Sequence, residues 1–330
     1  MKKFQLMCLL LAAPFSAAKE AQNLEGRLDG IRISSILFNE CELTIFVDEL
    51  RRLSVPAKDI AVVSPVNFVL VANSKETFSM PLRDISLLEL LQQGCRSFKV
   101  KAVFEPQAVL IVPLDHSFIN PPTDGRDAKG QEPVWRRQYR AAVQFEGASI
   151  EDACEYLLGG VRNACDPPPD RPPFNLVLKS TPDASSRSLS IYARDISIHD
   201  ALRYLAEPAG LELRYDAEAA VLCPPGDVFG QIEVLGASAV KQRADKIMLP
   251  QAEFMNATLE DVVSFVSLKS KAVDPAGKGV TIRVKPGLKA PKRCDLSLRG
   301  VSISEVLRYA AGLMEVKLVA DDQGFMITEP

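Results

Sequence analysis

The sequence predicts an α+β chain of three tandem small modules, and three observations carry that prediction. One stretch is written three times, as RDISLLELLQQ from Arg83, RDISIHDALRY from Arg194 and RGVSISEVLRY from Arg299. Repetition at a long period marks tandem units. Each copy places a Ser (Ser86, Ser197, Ser302) three residues before an acid (Glu89, Asp200, Glu305). That is the pattern of a capping box, although Asp200 is shorter than the usual Glu or Gln. The Ser oxygen takes an orphan N–H of the first turn, a gain of about 1 kcal/mol. The carboxylate suits the positive helix end. Apolar residues then recur at i, i+3, i+4 and i+7: Ile198, Ala201, Leu202 and Leu205, and again Ile303, Val306, Leu307 and Ala310. This spacing makes one buried helical face.

Each module reads strand, helix, strand, strand, helix, hairpin. Residues 19–30 are polar and predict a loose lead-in. An apolar strand follows at 31–38, then a helix carrying Leu43, Phe46, Val47 and Leu50. Glu42 stands there where later copies have a Ser or Thr cap. Strands at 66–71 and 77–82 lead to the motif, whose apolar face weakens at Gly94. Segments 98–104 and 108–112 form a hairpin around Glu105, Pro106 and Gln107. In the second copy the strands are 139–145, 175–178 and 188–193, Ser149 caps the first helix, and 211–215 pairs with 220–223. Gly159 and Gly160 weaken that helix. The proline-rich stretch 166–173 is irregular. In the third copy the strands are 247–254, 280–284 and 295–299, Thr258 caps the first helix, and 316–320 pairs with 325–328. Phe38, Phe145 and Phe254 align, as do Glu105, Asp216 and Asp321 at the hairpins. The modules are therefore expected at 31–114, 136–224 and 246–330, the first being the most divergent.

Linkers fall at 115–135 and 225–245. The first holds prolines and glycines among charges. Trp135 stands at its end and is expected to pack between modules; a surface site for a partner is the alternative. In the second linker, Val228, Phe229, Ile232, Val234 and Leu235 predict a short strand docked on a neighbour.

Lys2 and Lys3, an apolar run at 6–13 and the small residues Ser16, Ala17 and Ala18 read as a secretory signal peptide over 1–18. An uncleaved anchor is the alternative. Beyond it, no run approaches transmembrane length. The expected location is the periplasm or the outer membrane. Export permits disulfides among Cys41, Cys95, Cys154, Cys165, Cys223 and Cys294. Small buried hydrophobes are the competing reading. The spacing matches no zinc pattern, and the formal charge of −3 gives no footing for nucleic acid.

Catalytic chemistry is hard to find. His116 lies in the first linker, and His199 in the first turn of a motif helix, where a solvated position is expected. Glu151–Asp152 and Glu260–Asp261 resemble catalytic carboxylate pairs, but helix N-termini explain them better. Lys285, Lys289, Lys292 and Arg293 line one loop, either solvated or facing an anionic partner. Gly277 and Gly279 do not make a phosphate loop. No catalytic, cofactor or metal residue is assigned.

The cores RDISIHDALRYLAEPAGLELRYDAEAAVL and RGVSISEVLRYAAGLMEVKLVADDQGFMI, with the element order above, resemble the secretin and TonB N-terminal short domain. The resemblance covers nearly all of the chain after residue 30. The first copy departs from it at Glu42 and at Gln92–Gln93, which stand where Arg–Tyr recurs later. It implies two helices held between small sheets, and docking to protein partners rather than catalysis. Secretins continue into a β-rich pore domain that does not follow the third copy here, so a chain that forms no outer-membrane pore alone is expected. The expectation is a non-enzymatic envelope protein that binds or scaffolds other proteins, a secretin or TonB-type system among them. The alternatives are an accessory subunit of a secretion or pilus machine, and an enzyme with an unrecognised site. Small sheets leave unpaired edges that accept a partner's strand. The candidate is the last hairpin, at Phe325, Met326 and Ile327; the competing reading turns Phe325 and Ile327 into the module's own core.

Overall fold

The computed structural model describes residues 24–55, 66–105, 107–120, 140–164, 174–216, 218–227, 229–235 and 239–330. Residues 1–18, expected to be a signal peptide, Trp135, Cys165 and the proline-rich stretch 166–173 lie outside the described residues. The fold is mixed α+β. The first copy runs α1 (Leu24–Gly30), β1 (Arg32–Cys41), α2 (Leu43–Leu53), β2 (Phe68–Leu70), β3 (Phe78–Ser86), α3 (Leu87–Phe98), β4 (Val100–Phe104) and β5 (Val109–Pro113). The second runs β6 (Arg140–Ala148), α4 (Ile150–Ala164), β7 (Leu176–Leu178), α5 (Pro182–Ser186), β8 (Leu189–Ser197), α6 (Ile198–Ala209), β9 (Glu212–Tyr215) and β10 (Ala220–Cys223). After β11 (Ile232–Val234) and α7 (Ala239–Ala244) come β12 (Met248–Ala257), α8 (Leu259–Val273), β13 (Ile282–Val284), β14 (Cys294–Ser302), α9 (Ile303–Met314), β15 (Lys317–Asp321) and β16 (Gly324–Thr328). Among the described residues, no helix is long and apolar enough to cross a membrane.

The repeated motif folds the same way each time, for a local reason. The strand does not stop at the Arg; it continues to the capping Ser through one left-handed residue. That residue is Asp84 (φ 51°), Asp195 (φ 54°) or Gly300 (φ 56°). Asp and Gly tolerate this conformation better than bulkier residues do. Ser86 and Glu89 close a full capping box. Thr258 and Asp261 close one too, whereas at α6 the Ser197 hydroxyl instead donates to Asp200 Oδ2 at 2.6 Å. Glu42 caps α2 without a side-chain bond, as its place outside the Ser/Thr pattern implies. The helices end alike too, on left-handed Lys99, Gly210 and Glu315.

Packing groups the chain into two compact units. One takes the described residues up to 120 with 140–164 and 180–213; the other takes 174–179 and 214–330. The division runs through the second copy. In the first unit, β1 pairs antiparallel with β3, and a five-stranded sheet has the order β4-β5-β2-β8-β6. A strand of the second copy thus extends the sheet of the first: β8 lies antiparallel on β2, Phe68 opposite Tyr192. The core beneath holds Leu43, Phe46, Leu50, Leu87, Leu90 and Leu91. Gly94 leaves space that the Phe46 ring fills; a Cβ there would lie 2.1 Å from Phe46 Cζ. The apolar face of α3 is therefore completed by a residue of α2.

In the second unit, β12 pairs with β14, and a four-stranded sheet has the order β11-β15-β16-β13. Of the segment expected to hold a short strand, Ile232–Val234 forms it, parallel to β15. Its core joins Leu259, Val262, Val266, Ile303, Val306 and Leu307 to Val177, Val221 and Cys223 of the second copy. Helices α1, α5 and α7 were not expected. Leu24 and Leu28 were the signal for α1, with Leu28 fully buried. For α5 it was Thr181 before Pro182, a cap followed by a first-turn proline.

Candidate functional site

The copied residues of the motif meet across repeats, and they do so twice by the same devices. In the first unit, the Asn67 side chain grips the backbone of Arg194. Nδ2 donates to Arg194 O at 3.1 Å and Oδ1 accepts from Arg194 N at 2.8 Å. Nδ2 also donates to Gln107 O at 2.8 Å. In the second unit, Asn175 repeats this on Arg299: Nδ2 to Arg299 O at 3.0 Å, Oδ1 from Arg299 N at 2.9 Å, and Nδ2 to Glu218 O at 3.0 Å. An amide offers a donor and an acceptor side by side, which matches one residue of an outward-facing strand backbone.

The Arg–Tyr pair supplies the second device. Arg203 and Glu105 form an ion pair with both side chains only 3% exposed. Arg203 Nη1 donates to Glu105 Oε1 at 3.0 Å, and the Tyr204 hydroxyl to Glu105 Oε2 at 3.1 Å. Burial is the largest single influence and opposes the charge of Arg203, but the bond to Glu105 together with the charges of Tyr204, Glu105 and Asp200 outweighs it, and its pKa is raised. Burial also raises that of Tyr204, with the Glu105 charge adding to it. In the second unit, Arg308 donates to Asp216 Oδ2 at 2.7 Å and to Glu305 through Nε at 3.0 Å. Glu218 Oε2 accepts from the backbone N–H of Ser302 at 2.9 Å, in place of a capping-box acid. Burial raises the Glu218 pKa against the lowering effect of that bond.

The first unit adds a buried knot at the start of the first linker. Glu207, fully buried, is bonded to His116 Nε2 at 2.9 Å and accepts from Ile119 N at 3.0 Å and Asn120 N at 2.9 Å. Asn120 in turn donates to Leu211 O and accepts from Leu213 N, both at 2.7 Å. Arg51 stacks over the Tyr192 ring at 4.1 Å.

The ends of the tandem depart from this plan. Thr281 O accepts from Phe325 N at 2.9 Å, as Asn67 O does from Val109 N and Asn175 O from Ala220 N. Thr281 is thus the third copy's equivalent of the two asparagines and has no amide. Asp321, equivalent to Glu105 and Asp216, is taken by Arg283 of its own repeat at 2.5 Å. In the first copy, Gln92 and Gln93 replace the Arg–Tyr pair.

The residues expected at an edge lie elsewhere. Phe325 is fully buried and Ile327 is 2% exposed, both in the core. Strand β16 is paired on both sides, with β15 and with β13. The sheet therefore ends one strand further out, at β13. His199, expected in solvent, is 2% exposed. The Glu151–Asp152 and Glu260–Asp261 pairs lie in first helical turns. Lys285 and Lys292 are paired with Glu329 at 2.7 Å and Glu315 at 2.9 Å. Cys41, Cys95, Cys154 and Cys294 are buried free thiols, and Cys223 is buried with its Sγ accepting from Arg214 Nη2 at 2.8 Å. Burial pushes Cys95 up to about 11 and Cys294 up to about 12, which keeps them protonated. No group of three or more His, Cys, Asp or Glu suited to a metal gathers among the described residues.

The joint residues escaped sequence reading as a site because each looks ordinary alone. The available signal was their matched variation: Arg–Tyr present in copies two and three, Asn in copies one and two. Compared with family models, curated proteins and solved structures, the chain matches none.

Proposed function

We propose that this chain is a non-enzymatic exported protein of the cell envelope. On this reading it binds or scaffolds other proteins through tandem modules resembling the secretin and TonB N-terminal short domain. The observation that carries the reading is the use made of the copied motif. Its polar residues join one repeat to the next, in both units, rather than converging on a reacting centre. Joined repeats present the surfaces of neighbouring copies side by side for protein contacts.

The test is cross-linking in intact cells that produce a tagged chain, followed by fractionation and mass spectrometry. Recovery from the periplasmic or outer-membrane fraction with envelope proteins attached is expected. Yield should fall in a chain carrying Asn67→Ala and Asn175→Ala. Retention in the cytoplasm would remove the reading. Equal yields from the joint-broken chain would remove tandem display as its basis.

A further inference from the structure

Strand β13 ends the four-stranded sheet of the third repeat, and among the described residues no strand lies on its outer side. Phe325 N donates to Thr281 O at 2.9 Å, and Lys285 N to Ile327 O at 3.0 Å. In a parallel pair alternate residues bond to one neighbour. Ile282 and Val284 therefore turn their N–H and C=O groups outward. Strand β2 is the equivalent in the first repeat. There Phe68 and Leu70 are the outward residues, opposite Tyr192 and Ser190 of β8. This type of edge takes an antiparallel strand where one is supplied.

The chemistry around β13 differs from that of a joint. Thr281 has no amide to hold an incoming Arg backbone, and Arg283 already occupies Asp321. Another repeat of this chain's own kind would find neither device. The surroundings are cationic instead. Residues 278–293 contain Lys278, Arg283, Lys285, Lys289, Lys292 and Arg293, and no acid. Arg283, Lys285 and Lys292 pair with Asp321, Glu329 and Glu315, all at least a quarter exposed. Such surface pairs exchange at little cost. Lys278 and Lys289 are exposed, and Val284 adds an apolar surface 37% exposed.

We propose that the outer edge of β13 binds an extended acidic segment of a partner protein. The segment adds antiparallel to β13. Its backbone pairs with Ile282 and Val284, and its carboxylates lie among Lys278, Lys285 and Lys289. Main-chain bonds supply affinity and the flanking charges select the partner. The proposal rests on the protein-binding reading above and names the surface and the partner's chemistry.

The test titrates the full chain against a labelled synthetic peptide of alternating valine and glutamate, read by fluorescence anisotropy. Comparison probes are a valine–lysine peptide, an N-methylated valine–glutamate peptide and oligo(dT). The acidic peptide should bind, more weakly as salt rises, and the other three should not. Val284→Pro should weaken binding about tenfold or more, because proline removes an outward N–H and leaves the bonds to β16 in place. The N-methylated peptide asks the same question with the chain unaltered, so a misfolded proline variant does not decide the matter. Lys285→Glu with Lys289→Glu should also weaken binding. Failure of the acidic peptide to bind overturns the proposal. Equal binding of the N-methylated peptide or of oligo(dT) overturns it as well, since the surface would then be a charge patch. Envelope partners cross-linked equally to wild type and Val284→Pro would overturn the edge and leave the protein-binding reading standing.

Discussion

The two joints share one plan and differ by a methylene. Glu105 reaches both Arg203 and the Tyr204 hydroxyl, and the ion pair is sealed from water. Asp216 reaches Arg308 but not Tyr309, whose buried hydroxyl has no hydrogen-bond partner among the described residues. The second ion pair is also more open, at 16% and 29% exposed. Arg308 compensates by sharing itself with Glu305 and with Gly230 O at 3.3 Å. The repeated motif decides which residues meet, while side-chain length decides how much charge is buried. A sealed pair gives up hydration for geometry, so it is a stronger device for specifying a joint than for stabilising one. Removing one partner from it is nevertheless costly, because the other charge is left stranded.

That asymmetry sets the largest expected effect. Arg203→Ala should destabilise the first unit by about 3–5 kcal/mol, the range for an abandoned buried charge. Arg308→Ala should cost less, since water reaches Asp216. Denaturant unfolding of the full chain compares them, and equal losses would break the comparison.

Next come the amide clamps, which the two units share without difference. Asn67→Ala and Asn175→Ala each remove three hydrogen bonds and should cost about 1–3 kcal/mol. Hydrogen exchange gives the specific readout. The Arg194 amide should lose protection in the first variant and the Arg299 amide in the second. Loss of protection at neither amide would show that the clamps do not hold these strands.

Asp216→Glu sharpens the comparison by lengthening the short acid. The carboxylate should then reach the Tyr309 hydroxyl and raise the melting temperature by an amount corresponding to about 1 kcal/mol. A fall in stability would show that the second joint has no room for the methylene.

The smallest effect concerns acid. Asp321 is held below the usual carboxylate range, first by its bond to Arg283 and then by Gln323 N–H. A carboxyl lowered in the folded state adds stability above its unfolded pKa. That stability disappears as pH falls through the lower, folded value. The third repeat should therefore weaken only in acid below the ordinary Asp range, and Asp321→Asn should flatten that dependence. Melting curves taken as pH is lowered check it.

Much of the fold was legible because its causes are short in sequence. Ser86, Ser197 and Ser302 announce their helices within three residues, and the apolar spacing of α6 and α9 names their buried faces. Gly94 was misleading, since its apolar face is completed by Phe46 from another helix. His199 was read as solvated from its place in a first turn, but burial there is imposed by neighbours the turn does not encode. The partner edge was placed on the apolar run Phe325–Ile327 of the last hairpin, with burial of Phe325 and Ile327 in the module's own core as the competing reading, and burial is what the packing gives. Here β13 returns to pair with β16 and takes the border of the sheet.

By itself, then, the sequence determined the α+β class, the three copies of one element order, the caps and the principal core faces. Each follows from helix and strand periods and from bonds within one turn. Only the tertiary structure decided what the copied polar residues are for. Arg203 meets a glutamate 98 residues away and Asn67 a backbone 127 residues away. Nothing local distinguishes these side chains from solvated ones. Their role depends on which strand lies beside which, and that is settled by the packing of apolar faces, whose driving force has no direction of its own.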